Sequence, residues 1–118
     1  MQREEDGGIV ISCDFCGTDW DEQIPMIEGH KGSIICLSCL KRALDEAAPA
    51  DETFSCTMCL QEREPGTKRW RHPNPTPSPG LNESAVICWP DIRQGAKAFH
   101  KDKDTDFRWD PAKYPPQK

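Results

Sequence analysis

Ser12-Cys13-Asp14-Phe15-Cys16-Gly17, followed by Ile34-Ile35-Cys36-Leu37-Ser38-Cys39-Leu40, carries the cysteine pattern from which the architecture follows. Each stretch carries two cysteines three positions apart, and nineteen residues separate Cys16 from Cys36. A C-x-x-C step lets two thiolates of one turn reach the same tetrahedral ion at about 2.3 Å each. Two such steps at this separation are the spacing of a four-cysteine metal site. A third pair, Cys56-Thr57-Met58-Cys59, follows, and Cys88 stands alone, for 7 cysteines in all. Adjacent pairing and an odd count fit metal better than a disulfide framework. A thioredoxin-like motif would need a βαβ pattern beside one pair, and the sequence has no such pattern.

The composition makes a cross-link necessary. Of 118 residues only 36% are hydrophobic, while 30% are charged and 11 are proline. A chain this short and polar buries too little apolar surface to stand alone. There is no apolar run of membrane-spanning length, and Met1 to Gly8 is acidic and lacks a signal-peptide core. The expectation is a small cytoplasmic protein with no membrane segment. A large cofactor-binding fold and a heptad-repeat chain are excluded. Charge is uneven: Met1 to Thr53 holds 12 acidic and 4 basic residues, net −8, while Phe54 to Lys118 holds 8 and 11, net +3.

The chain also repeats itself. Ser12-Cys13-x-x-Cys16 returns as Ser55-Cys56-x-x-Cys59, offset by 43, and Ile35-Cys36 returns as Ile87-Cys88, offset by 52. Leu37, Leu40, Leu44 and Ala47 form one helical face, and Trp89, Ile92, Ala96 and Phe99 occupy the same places at the offset of 52. The difference of nine is a loop insertion, for which the proline-rich run from His72 to Gly80 is the place. Each copy reads as a knuckle, a β-hairpin and a short helix carrying the second ligand pair. The first hairpin joins Ile24–Glu28 to Ser33–Cys36 through Gly29-His30-Lys31-Gly32, with a helix from Leu37 to Ala48 before Pro49. The second joins Lys68–His72 to Ser84–Cys88, with Pro90 in the first helical turn.

The fold class expected is therefore a small metal-stabilised α+β protein made of tandem treble-clef zinc fingers. A disordered stretch covers 1–8, the first C4 zinc module 9–50, the second zinc module with its proline-rich hairpin loop 51–101, and a charged, proline-containing tail 102–118. Composition predicts that the tail is disordered, while Phe107, Trp109 and Tyr114 suit it to pack across the second module or to anchor a partner.

Cys13-x-x-Cys16-Gly17, the spacer and Ile35-Cys36-x-x-Cys39-Leu40 resemble the C4 zinc-binding domain of ClpX unfoldases, over Cys13 to about Ala48. The resemblance implies a structural zinc and a module that dimerises and binds proteins. No P-loop glycine-lysine motif occurs, so unfoldase activity is not implied.

Two zinc ions per chain are expected. Cys13, Cys16, Cys36 and Cys39 hold the first; Cys56, Cys59 and Cys88 hold the second. Asp91 stands where Cys39 stands in the first copy, and a carboxylate oxygen binds zinc at about 2.0–2.2 Å. His72 on the hairpin is the competing eighth ligand. His100 lies too far along the helix from Cys88. A RING-like crossed pairing is the alternative to sequential pairing, which the repeat favours. An open fourth position would invite metal-bound water, but no acid/base group accompanies it.

The expected function is non-enzymatic: an adaptor that offers helix faces and the proline-rich loop to a protein partner, with homodimerisation a further expectation. The alternative is binding of RNA or single-stranded DNA through Lys68, Arg69, Trp70 and Arg71, which combine cations with an aromatic. Against it stands an inward-packed Trp70 on a solvated hairpin edge.

Overall fold

Ile34, Ile35 and Cys36 are three consecutive buried residues, and the chain turns directly from them into a helix at Leu37. The computed structural model describes every residue except Asp6, Glu22, Asp104 and Lys118, and the backbone alone of Arg3. In chain order the strands of the first half are β1 (Gln2–Glu5), β2 (Gly8–Ile11), β3 (Met26–Glu28) and β4 (Ile34–Cys36), followed by helix α1 (Leu37–Glu46). The second half has β5 (Ala48–Pro49), β6 (Phe54–Ser55), β7 (Glu62–Arg63), β8 (Lys68–Trp70) and β9 (Ile87–Cys88), followed by helix α2 (Trp89–Lys101). All pairings are antiparallel, in the orders β1-β2, β3-β4, β5-β8-β9 and β6-β7. The result is a small α+β fold of short sheets and two helices among the described residues.

The first hairpin turns through a short 3-10 turn at His30–Gly32, where Lys31 (φ 54°) and Gly32 (φ 75°) both take the left-handed conformation. α1 stops at Glu46 rather than Ala48, because Ala48 leaves the helix to pair with Arg69. In the second half Pro90 sits in the first turn of α2, where its missing N–H removes no helical bond.

The repeat is visible in the hydrogen bonds. Asp14 N donates to Ile34 O at 2.9 Å, and Thr57 N to Val86 O at 2.8 Å. Ile27 lies opposite Ile35, as Trp70 lies opposite Ile87. The offset of 43 thus holds as far as Trp70 and the offset of 52 from Val86. The insertion falls in the proline-rich loop between them.

The halves pack reciprocally, as across a two-fold axis. α1 lies on α2, β3 on α2, and β8 on α1. His30 N donates to Met58 O (2.8 Å) on the second knuckle, and Asn82 N donates to Asp14 O (2.9 Å) on the first. One continuous core results, with Leu40, Ala43, Ile92, Ala96 and Phe99 all buried. The apolar faces of the two helices are thus spent on each other.

At the crossing, Gly95 lets Leu40 approach closely; a Cβ there would lie 2.9 Å from Leu40 Cδ1. Gly95→Ala gains up to about 1 kcal/mol of helix propensity but overpacks a buried contact at a cost of about 1–3 kcal/mol. A net loss of about 1 kcal/mol, read as a fall of several degrees in the melting midpoint, is expected. A raised midpoint would mean that Leu40 swings clear.

The expectation of a disordered stretch over 1–8 is corrected, and of the two readings left open for the tail the described residues show packing. Gln2–Glu5 pairs with Gly8–Ile11 as a hairpin, since Ile9, Val10 and Ile11 supply β-forming residues across from it. The tail is seated on the fold. Trp89 Nε1 donates to Pro115 O (2.8 Å), Arg93 Nε to Tyr114 O (2.9 Å) and the Tyr114 hydroxyl to Asp45 Oδ1 (2.7 Å). Phe107 meets Phe99 edge-on, with centroids 6.4 Å apart. Among the described residues no helix is long and apolar enough to cross a membrane.

Candidate metal centres

Each knuckle is a tight turn held by its own backbone. Cys13 N donates to Thr18 O (2.9 Å) and Gly17 N to Cys13 O (2.7 Å); Cys56 N donates to Gln61 O (3.0 Å) and Leu60 N to Cys56 O (2.9 Å). The fifth residue of each is left-handed, Gly17 at φ 77° and Leu60 at φ 60°. Glycine adopts this freely, whereas a side chain there costs about 1–2 kcal/mol.

The turns bring two ligand groups together, paired sequentially and not crossed. Cys13, Cys16, Cys36 and Cys39 form one group and Cys56, Cys59, Cys88 and Asp91 the other, with ligand atoms in each within 4.8 Å of one another. Sulfurs at 2.3 Å from a tetrahedral ion stand about 3.8 Å apart. Cys13–Cys39 and Cys16–Cys36 are each 3.7 Å apart, and Cys59–Cys88 are 3.9 Å apart. Asp91 Oδ2 lies 3.1 Å from Cys56 Sγ, close enough for a thiol to donate to it. The donors fit a tetrahedral ion in both places. Helix starts supply further support, as Cys36 N donates to Cys13 Sγ (3.3 Å) and Cys88 N to Cys56 Sγ (3.4 Å).

The thiols of the two groups differ in how readily they give up their protons. Hydrogen bonding to Cys16 pushes the Cys13 thiol pKa up, and hydrogen bonding to Cys13 does the same to Cys39. The Cys16 and Cys36 pKa values are held down by hydrogen bonds from Cys13. The Cys56 thiol is raised by its hydrogen bond with Cys88 and by burial, and the Cys59 thiol by burial first. An incoming ion must displace protons from the raised thiols, so its affinity rises with pH.

His72 is not at the second centre. Its Nε2 lies 3.1 Å from an Arg42 nitrogen, its Nδ1 accepts from Asn74 N (3.1 Å), and its ring lies beside Trp70. His100 Nδ1 accepts from Trp109 N (3.3 Å). Asp91 has the advantage because α2 begins at Trp89 and places it in the first turn.

Arg63 is the residue the spacing argument missed. Its guanidinium donates to Cys59 Sγ at 3.6 Å, and its Nε is buried without a hydrogen-bond partner. Burial works against its charge, but hydrogen bonds and Coulombic attraction from Cys88 and Cys59 outweigh this and hold its pKa above the ordinary value. With a divalent ion either centre carries a formal charge of about −2, and Arg63 offsets about half of it at the second. The first copy has Trp20 at the matching position. That difference was the one available signal. Arg63→Ala is expected to weaken metal binding at the second centre by about tenfold and to leave the first unchanged, read by chelator competition. Equal loss at both would assign Arg63 to general stability.

The four residues weighed for nucleic-acid contact are otherwise engaged in part. Trp70 is buried, its ring 5.7 Å from Phe15, and its Nε1 donates to Glu46 Oε1 at 3.0 Å. Lys68 Nζ lies 3.9 Å from the Trp89 ring centre, and Arg69 packs over Phe54 and pairs with Glu52 (3.7 Å). Arg71 is exposed. The proline-rich loop returns across the first knuckle, where Ser78 Oγ donates to Gly17 O (3.4 Å) and Asn82 Nδ2 to Asp14 Oδ2 (3.4 Å). Comparison with known proteins finds no matching family model, curated protein or solved structure.

Proposed function

We propose that the chain is a cytoplasmic, non-enzymatic zinc-binding module that docks on a protein partner. The observation that carries this reading is the position of the two ligand groups. Each ties a knuckle to the hairpin–helix junction of its own half, with Cys13, Cys56 and Cys88 buried. Thiolate-rich tetrahedral sets suit zinc, and ions placed this way act as cross-links. The order of knuckle, hairpin and helix supports a treble-clef reading of each half.

The resemblance of Cys13 to Ala48 to the ClpX zinc-binding domain supports protein binding. It also implies dimerisation. The reciprocal packing of the halves supports that contact being made within one chain. The acidic first half repels a phosphate backbone, and Trp70 has no free face on which a base could stack.

The test is retention of protein from native lysate by the zinc-loaded chain, with and without nuclease, beside an oligonucleotide salt titration. Retention that survives nuclease, with no oligonucleotide binding at physiological salt, is the expected result. Tight oligonucleotide binding that weakens steeply with salt, and is lost in Arg69→Glu/Arg71→Glu, would overturn it.

A further inference from the structure

The two halves pack against each other reciprocally, but one side of that packing is filled and the other is open. On the filled side β8 lays Trp70 against α1, on top of Phe15, beneath Arg42 (5.9 Å) and hydrogen-bonded to Glu46. The repeat assigns a counterpart to each. Ile27 stands for Trp70, Met58 for Phe15, Gln94 for Arg42 and Ala98 for Glu46. These four line a cleft of about 360 Å3 between β3 and α2, with Cys59 and Asp91 of the second centre at its side. Smaller side chains at Ile27 and Met58 leave open the kind of space that Trp70 and Phe15 occupy opposite. The volume lies at the small end of ligand pockets.

We infer that this cleft receives an aromatic side chain from a basic stretch of the protein partner, an inference that rests on the protein-binding reading above. The molecule supplies its own template, since Trp70 is flanked by Arg69 and Arg71. The counterpart of Arg71 is Glu28, which lies on the rim of the open cleft. Glu28 and the anionic second centre therefore set a negative rim around an apolar floor. A tryptophan between arginines or lysines matches both parts. Buried aromatic anchors of this kind carry much of the binding energy in protein interfaces.

The test uses the full, zinc-loaded chain and an acetylated, amidated Arg-Trp-Arg tripeptide, followed by NMR of the Ile27, Ile35 and Met58 methyl groups. Saturable shifts with Kd of roughly 0.1–1 mM are expected. Arg-Leu-Arg and Glu-Trp-Glu should each bind at least about tenfold more weakly. Ile27→Trp, which places an indole as Trp70 does, should abolish binding. Should that variant bind fewer than two zinc ions, Ala98→Trp decides, because Ala98 is exposed on α2 and a ring there covers the mouth.

No saturable shift, or binding unchanged in a folded blocking variant, overturns the inference. Equal affinity for Arg-Leu-Arg removes the aromatic requirement, and equal affinity for Glu-Trp-Glu removes the charge match; either overturns it. Partner retention untouched by both variants overturns the cleft and leaves the adaptor reading standing. Tripeptide binding with no protein retained overturns the adaptor reading alone.

Discussion

A strong chelator at neutral pH is expected to unfold the chain in two steps, with the second centre emptied first. Structural zinc in small domains supplies on the order of 10 kcal/mol of folding free energy per site, against a net stability of about 5–15 kcal/mol for a whole domain. Each ion therefore supplies a large share of what holds its own half folded. The order follows from the ligands. At the first centre three of the four cysteines are buried, whereas Cys59 and Asp91 are both partly exposed at the second. Lower pH should hasten both steps, because protons compete with the ion for its thiolate ligands. Near-ultraviolet circular dichroism of the buried Trp70 and Trp89, recorded beside metal content, follows the process. A cooperative melt that survives complete removal of metal would contradict the cross-link account.

The second large effect concerns Asp91. Asp91→Ala is expected to leave three thiolates and to lower affinity at the second centre by at least about a hundredfold, with loss of that half's fold at ordinary metal concentrations. Asp91→Cys should do the opposite, making both centres four-thiolate sites and slowing zinc loss to a chelator. His72→Ala should change metal content little, since His72 bonds to Arg42 and Asn74 instead. Zinc stoichiometry and release rates for the three variants give the answer. Loss of the second zinc in His72→Ala alone would transfer the role to His72.

What was legible in the sequence was whatever short-range spacing encodes. The cysteine steps, the paired hairpin residues and the helix faces with buried Leu40, Ile92, Ala96 and Phe99 all follow from local periodicity. So does the insertion at His72 to Gly80, because two different offsets can be read from one chain. Asp91 was reached only through the repeat, as an aspartate that spacing alone would leave as a helix-start carboxylate. Other features depend on contacts between distant residues and leave no periodic trace. Tyr114 reaches Asp45 across 69 positions. Arg63 bonds to sulfur through the fold of a two-residue strand, and its role is set by burial rather than by a motif. The hairpin at Gln2–Glu5 was masked by its acidic composition, which reads as disorder when no partner strand is in view.

The joining of two copies into one chain has a consequence for stoichiometry. A symmetric pair of identical modules would carry two identical clefts, and every substitution would appear in both at once. Here each half varies independently, so one position of a matched pair can hold Trp70 while the other holds Ile27. On the proposal made above, one such cleft per chain is expected to be filled at a ratio of one to one, and at any dilution, because the other half is tethered at millimolar effective concentration.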